Sequence, residues 1–139
     1  MTILEAILFA DSLKPNAFTH EQKLVWLNGL EGRLLNLVHC VPLDQLQPYL
    51  LPDDENTVLL VPAPYSDVYW KWLCAMIDYA NGEYDKYAAS QLVANSAYLE
   101  YAKWVQRTGY QLGAQEAPED EEVEADDPNE ELEGVLPGA

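Results

Sequence analysis

The sequence contains few of the residues from which proteins usually build reactive centres. Its only cysteines are Cys40 and Cys74, which do not form a CxxC pair, and its only histidines are His20 and His39. Isolated thiols and imidazoles do not supply the clustered ligands of a zinc site or the adjacent nucleophile and base of an active site. We therefore expect reduced, apolar-packed cysteines, no metal or cofactor, and a protein that is not an enzyme.

Basic residues are also scarce, with seven Lys and Arg against 24 Asp and Glu and a formal net charge of −17. They occur singly, whereas proteins that grip phosphates cluster them in a stripe. The sequence also lacks an apolar run long enough to span a membrane, and its apolar first residues follow no basic signal-peptide region. These absences favour a soluble cytosolic protein that does not grip nucleic acid.

The C-terminal segment differs from the rest of the sequence. Residues 114–139 contain eleven of the 24 acidic residues and no Lys, Arg or aromatic residue. Such a segment cannot bury enough apolar area to offset the entropy lost on ordering. We predict a folded domain over residues 1–113 and a disordered acidic tail over residues 114–139. The tail is interpreted either as a solubilising appendage or as an arm that repels premature contacts or docks on a basic neighbour.

The folded part is predicted to be mainly α, a small bundle of about four helices. Thr2 is placed to cap the first helix, and Thr19 with Gln22 forms a capping box for the second. Asn81-Gly82 predicts a break between the last two helices, because both residues tolerate left-handed backbone angles. The predicted helices cover residues 3–12, 20–40, about 65 to 80, and 83–107.

One face of each helix is predicted to be buried. Apolar spacing selects Leu4, Ile7 and Leu8 in the first helix. In the last helix the predicted contact residues are Tyr84, Tyr87, Ala88, Leu92, Asn95, Tyr98, Leu99, Ala102 and Val105.

A short extended element is predicted between the second and third helices. Residues 58–61 are branched and apolar, which is typical of a strand. A single short strand needs a partner. The two partners considered are residues 48–51 and the edge of another subunit.

Aromatic residues concentrate in the last two predicted helices. A domain of about 110 residues cannot turn all of them inward, and Tyr and Trp are enriched at subunit interfaces. We therefore predict that some of them, together with the short strand, form an interface. The candidate interface residues are Val58, Leu59, Leu60, Val61, Trp70, Trp72, Tyr79, Tyr84, Tyr98, Tyr101 and Trp104.

Two stretches carry a family resemblance. They are LKPNAFTHEQKLVWLNGLEGRL (residues 13–34) and LVPAPYSDVYWKWLCAMIDYANGEYDKYAASQLVANSAYLEYAKW (residues 60–104). Residues 1–108 resemble a group of small prophage-encoded proteins of tailed bacteriophages, whose genes lie beside capsid and portal genes. These proteins look like head–tail connector (neck adaptor) subunits.

The resemblance implies a mostly helical subunit that joins copies of itself in a ring beneath the portal protein. That ring extends the DNA channel and receives the tail-side neck proteins, with no catalysis, cofactor or metal. The implied location is the virion neck, and the host cytoplasm during assembly. DNA is expected to pass without specific binding, because negative charge near the lumen prevents it from sticking.

Two other functions remain open. The acidic tail is compatible with a DNA mimic or a small interaction module that inhibits a host nucleic-acid enzyme. Such mimics usually spread carboxylates over the folded surface, whereas here they concentrate in residues 114–139. A small enzyme is the third possibility, although no clustered acid, base or nucleophile supports it.

Overall fold

The computed structural model describes residues 1–112, and these residues are mainly α-helical, as predicted. Residues 1–112 form four α-helices, which are α1 (Ile3–Leu13), α2 (His20–Arg33), α3 (Asp67–Ala80) and α4 (Tyr84–Thr108). Residues Met1–Arg107 form one compact unit. The predicted acidic tail lies outside the described residues, and the predicted domain boundary stays a prediction.

Capping boxes fix the starts of α1 and α2 at the predicted residues. The Glu5 amide donates to Thr2 Oγ1 over 3.1 Å, and the Thr2 amide donates to Glu5 Oε1 over 2.9 Å. Thr19 and Gln22 exchange the same two bonds at the start of α2. Each box satisfies amides that have no partner within the first helical turn. The second helix was predicted to reach residue 40, but its α-helical part ends at Arg33, and a π-helical segment over Leu34–Val38 follows.

The core lies among α1, α2 and α3. Its fully buried aliphatic side chains come from all three helices, and each contributes about 1.5–3 kcal/mol of burial free energy. They are Ile3, Ile7, Leu27, Leu30, Val68, Leu73 and Ile77. Ile7 was predicted, but Leu8 is 51% exposed, so the prediction for that residue was wrong. The buried face of α1 is centred on Ile3, Ile7 and Ala10 instead.

The buried face of α4 differs from the predicted one. Only Ala94, Ala97, Tyr101 and Val105 are buried, and of these only Val105 was predicted. Bulky apolar residues normally mark the inward face of a surface helix, which is why sequence reasoning selected the other side. In the structure small alanines face inward.

The short extended segment pairs with the chain's own first residues. Thr2 and Val58 form an isolated antiparallel bridge, and the Leu59 amide donates to the Met1 carbonyl over 2.9 Å. The partner is thus neither of the two that were considered. Within residues 1–112 this pairing is a single β-bridge and does not extend into a β-strand.

The Asn81-Gly82 break is confirmed. Gly82 has φ of 75°, a left-handed angle that an L side chain rarely adopts, and it separates α3 from α4. Among the described helices, α4 included, none combines the length and apolar character needed to cross a membrane.

Candidate subunit interface

The extended segment is bonded within its own chain. The Leu60 amide donates to Glu31 Oε2 over 3.0 Å, and the Val61 amide donates to the Tyr69 hydroxyl over 2.8 Å. With Leu59 bonded to Met1, three consecutive amides are satisfied. A strand from another subunit would therefore find no free donor at these positions.

Burial corrects two of the predicted interface residues in this segment. Leu59 and Val61 are buried in the core. Their branched side chains are turned inward because the N-terminus and Glu31 hold the backbone on both sides. Leu60 is half-buried, and only Val58 is exposed.

A buried carboxylate connects this segment to two helices. Glu31 of α2 accepts hydrogen bonds from the Tyr49 hydroxyl (2.9 Å), the Tyr69 hydroxyl (2.6 Å) and the Leu60 amide (3.0 Å). We call these four residues the Glu31 clamp. They join α2, α3, residues 58–61 and the loop at Tyr49.

The electrostatics of the Glu31 clamp follow from burial. Removal from water raises the pKa of Glu31, against the opposing effect of its three hydrogen-bond donors. Burial, followed by the charge of Glu31, raises the pKa of Tyr49 and Tyr69 as well. Both phenols therefore stay protonated and act as donors.

Sequence reasoning missed Glu31, although a signal was present. Glu31 falls on the same helical stripe as Leu24, Leu27 and Leu34, at spacings of three and four residues. All of these residues are buried. An acidic residue on an apolar stripe indicates a carboxylate that receives hydrogen bonds inside the core.

A small cleft borders the Glu31 clamp. Its volume is about 110 Å³, and its lining includes Asn28, Gly32, Leu46 and Tyr49. Sites for small molecules usually enclose roughly 300–1,000 Å³. The dimensions of the cleft thus fit loop packing better than ligand binding.

A second buried polar cluster joins the ends of the helices. Asp78 of α3 is buried and receives hydrogen bonds from Lys14 Nζ over 3.0 Å and Ser90 Oγ over 2.9 Å. Nearby, buried Lys23 of α2 pairs with Asp11 of α1 over 2.7 Å. Asp78 and Lys23 are thus paired charges that hold helices together, as buried charges require.

The thiols and imidazoles are not arranged for nucleophilic chemistry. Burial raises the pKa of Cys74 to about 11, so its thiol stays protonated and unreactive near neutral pH. Cys40 is exposed rather than buried, against the prediction, and it has a left-handed φ of 59°. Partial burial lowers the pKa of His39, whose Nε2 lies 2.7 Å from the Tyr101 hydroxyl. Residues 1–112 contain no cluster of three potential metal ligands.

Tyr101 belongs to the core, which corrects its prediction as an interface residue. It is fully buried and stacks on Trp104 with a centroid separation of 5.9 Å. Tyr65 lies 5.4 Å from Trp104 and 6.2 Å from Tyr101. Together with His39, these rings attach the C-terminal half of α4 to the start of α3.

The other predicted aromatic residues are half-buried or exposed. Trp70 meets Phe9 edge-on at 4.8 Å, and Trp72 lies beneath the Arg33 guanidinium at 5.4 Å. These two, with Tyr98 and Trp104, are half-buried, while Tyr79 and Tyr84 are exposed and touch each other at 5.7 Å. All of these side chains except Tyr98 thus have a ring or cation–π contact within the chain. The interface role of these six residues stays a prediction.

The large exposed apolar side chains are mostly aliphatic and lie on other faces. The outer α4 face, as we name it, consists of Asp85, Ala88, Leu92, Leu99 and Lys103, at spacings of three, four and seven residues. All five are exposed, and Leu92 and Leu99 have 69% and 53% of their surface accessible. Sequence reasoning turned both leucines inward, which was wrong.

A second exposed apolar surface lies on α1. It consists of Leu8, Phe9 and Leu13, which we call the α1 patch. Scattered exposed apolar side chains are normal in a folded protein, but groups of them on one helix indicate association. The α1 patch and the outer α4 face are therefore the candidate interaction surfaces.

A scan against protein-family models and searches of curated proteins and solved structures found no match to this chain.

Proposed function

We propose that this chain is a structural assembly subunit of the head–tail connector of a tailed bacteriophage, forming a ring with copies of itself on the portal protein. The proposal rests on the exposed aliphatic side of α4, a 25-residue helix that buries only four side chains. It also rests on the resemblance of residues 1–108 to connector subunits.

Ring formation requires two different surfaces on each subunit. A head-to-tail contact between identical subunits joins one patch to a second, unlike patch of the next copy. The α1 patch is formed by Leu8, Phe9 and Leu13, whereas the outer α4 face presents Leu92 and Leu99 between charged ends. The two surfaces differ in composition, because only the outer α4 face is defined to include charged residues, Asp85 and Lys103. They therefore suit a contact between the α1 patch of one copy and the outer α4 face of the next.

The buried titratable groups support a structural role. Glu31, Asp78 and Lys23 each hold elements of the fold together through short bonds. Glu31 also lines the neighbouring cleft, but the cleft volume of about 110 Å³ is below the usual range for a substrate site.

The charge balance supports passage of DNA through a channel rather than its capture. The chain has 24 acidic and seven basic residues, so a lumen formed by several copies is predicted to repel duplex DNA. The tail-side neck proteins are the remaining proposed partners. A gel-shift experiment with duplex DNA at moderate salt is expected to show no complex, and a shifted band would contradict the channel part of the proposal.

The assembly test compares three Leu or Val to Asp substitutions on exposed helix surfaces. The purified full chain, alone and mixed with portal protein, is examined by light scattering and negative-stain electron microscopy. Leu8→Asp on the α1 patch and Leu92→Asp on the outer α4 face are expected to abolish ring-sized particles, because each places a charge in the contact. Val25→Asp is the matched control, since Val25 is exposed on α2 outside both surfaces.

The outcome separates the connector from the other functions. Ring-sized particles with wild type and Val25→Asp, but not with the other two variants, support the proposal. Absence of any portal complex with the wild-type chain would overturn it. Recovery of a host nuclease instead of portal protein from a lysate would favour the inhibitor interpretation.

A further inference from the structure

The outer α4 face has a charge pattern that identifies a specific partner. We propose that it also pairs with the same face of a second copy, with the two α4 helices antiparallel, and that the free chain forms this two-fold dimer. The pairing concerns the chain before assembly, and only its biological purpose depends on the proposed function.

The geometry follows from the helical repeat. At 100° per residue, Asp85 and Lys103 project in the same direction, with Leu92 and Leu99 between them on that side. Asp85 and Lys103 are 18 positions apart, a separation of five turns, or about 27 Å along the axis. An acidic end, an apolar centre and a basic end thus lie on one exposed line.

The two orientations of a second helix differ in electrostatic energy. In an antiparallel pair, Asp85 of each copy lies opposite Lys103 of the other, giving two symmetric ion pairs around the leucines. In a parallel pair, Asp85 would face Asp85 and Lys103 would face Lys103, and both contacts would be repulsive. Neither side chain has an ion-pair partner among residues 1–112, so both are available.

The charge of the surrounding molecule also favours this face. Two chains of net charge −17 repel each other over most of their surfaces. In α4, however, three basic residues (Lys86, Lys103 and Arg107) outnumber two acidic ones (Asp85 and Glu100). This helix is therefore the least unfavourable approach for a second copy.

The apolar centre of the pair is tight but small. Ala88, Ala89 and Ser96 flank the two leucines and are also exposed, and their short side chains let another helix approach closely. One helix pair of this length buries less than the roughly 1,200 Å² of a stable complex, so the dimer is weak and depends on concentration.

The dimer has a consequence for assembly. It covers the same leucines that the proposed ring contact uses, so a dimeric subunit cannot enter a ring until the pair separates. Contact with a portal, where many sites act together, would then shift the equilibrium towards the ring. The pairing would thereby prevent rings from forming on their own.

The test is a charge swap in the full-length chain, followed by sedimentation equilibrium at about 150 mM salt over a wide protein concentration range. D85K and K103D each place like charges at both ends of the antiparallel pair, and each is expected to weaken the dimer about tenfold. The double variant D85K/K103D restores opposite charges and is expected to dimerise like wild type. An equimolar mixture of the two single variants is expected to form the mixed dimer.

Controls separate this pairing from other effects. E21K makes the same charge change in the first turn of α2, on an exposed residue, and is expected to leave dimerisation unchanged. A monomeric wild type at all concentrations, single variants that dimerise like wild type, or a double variant that fails to recover would each overturn the proposal. These results are independent of portal binding, so the dimer and the connector function can fail separately.

Discussion

The body formed by α1, α2 and α3 and the long helix α4 are stabilised in different ways. The three helices of the body bury large aliphatic side chains such as Ile7, Leu27 and Leu73 against one another. In contrast, α4 buries two alanines, Tyr101 and Val105, and turns Leu92 and Leu99 to solvent. The comparison indicates that the body folds around its own core, whereas part of the apolar surface of α4 is available for association.

The buried hydrogen bonds also differ between the body and α4. The Glu31 clamp lies inside the body and receives three hydrogen bonds. By comparison, the N-terminal half of α4 is attached through the hydrogen bond from Ser90 to Asp78. We therefore expect substitutions in the body to lower global stability and substitutions around Ser90 to act locally.

The largest expected difference in stability is between a Leu→Ala substitution in the body and the same substitution in α4. Leu73→Ala leaves a cavity in the core and is expected to lower the free energy of unfolding by about 3 kcal/mol. Leu92→Ala removes an exposed side chain and is expected to change it by less than about 0.5 kcal/mol. Urea denaturation at low protein concentration measures both. Similar losses for the two variants would show that the outer α4 face is packed within the chain.

Removing the carboxylate of the Glu31 clamp is expected to have the next largest effect. Glu31→Ala leaves the buried donors of Tyr69 and Leu60 without their acceptor, which costs about 2 kcal/mol of unfolding free energy. The matched control is Glu21→Ala, because Glu21 is exposed on the same helix. Denaturation curves that coincide for the two variants would mean that the clamp contributes no net stability.

A smaller and local effect is expected at the attachment of α4. Ser90→Ala removes the bond to Asp78. We expect the free energy of local opening in α4 to fall by about 1 kcal/mol, so that the amides of α4 exchange faster. Amides of α1 and α2 should exchange as before. Ser96→Ala, on the exposed side of the same helix, serves as the control. Uniformly faster exchange in both regions would show that α4 and the body open together.

The pH dependence gives the subtlest distinction. Because the folded pKa of Glu31 is raised from 4.5, its contribution to stability is complete below pH 4.5 and is lost as pH rises through the folded value. The unfolding free energy of wild type minus that of Glu31→Gln should therefore decrease as pH rises from 4.5. Groups such as His39 titrate in both proteins and cancel in the difference. A difference that stays constant or increases with pH would contradict the raised pKa.

Local signals predicted the starts of the first two helices and the break between the last two, but not the end of α2. Thr2 with Glu5 and Thr19 with Gln22 act within one turn, and the structure contains both capping boxes. Gly82 breaks the chain through its own backbone freedom. These features depend on residues that are neighbours in the sequence, which is why the sequence alone revealed them.

Contacts between distant residues were not predictable in the same way. The pairing of Thr2 with Val58 joins positions 56 residues apart, and it replaced both partners that the sequence suggested. Glu31 lay on a recognisable apolar stripe, but its acceptance of bonds from Tyr49, Leu60 and Tyr69 depends on the tertiary arrangement. The outer α4 face was missed because helical periodicity reports two apolar sides without showing which one the body covers.

The sequence by itself determined a mainly helical chain, the starts of its first two helices, the break at Gly82 and a strongly acidic character. Those properties arise from residue composition and from interactions within a few positions of the chain. Only the tertiary structure decided that Tyr101 is buried and Leu92 is exposed, because that choice depends on which side of α4 packs against the rest of the fold. The apolar surface that α4 leaves exposed follows from that packing.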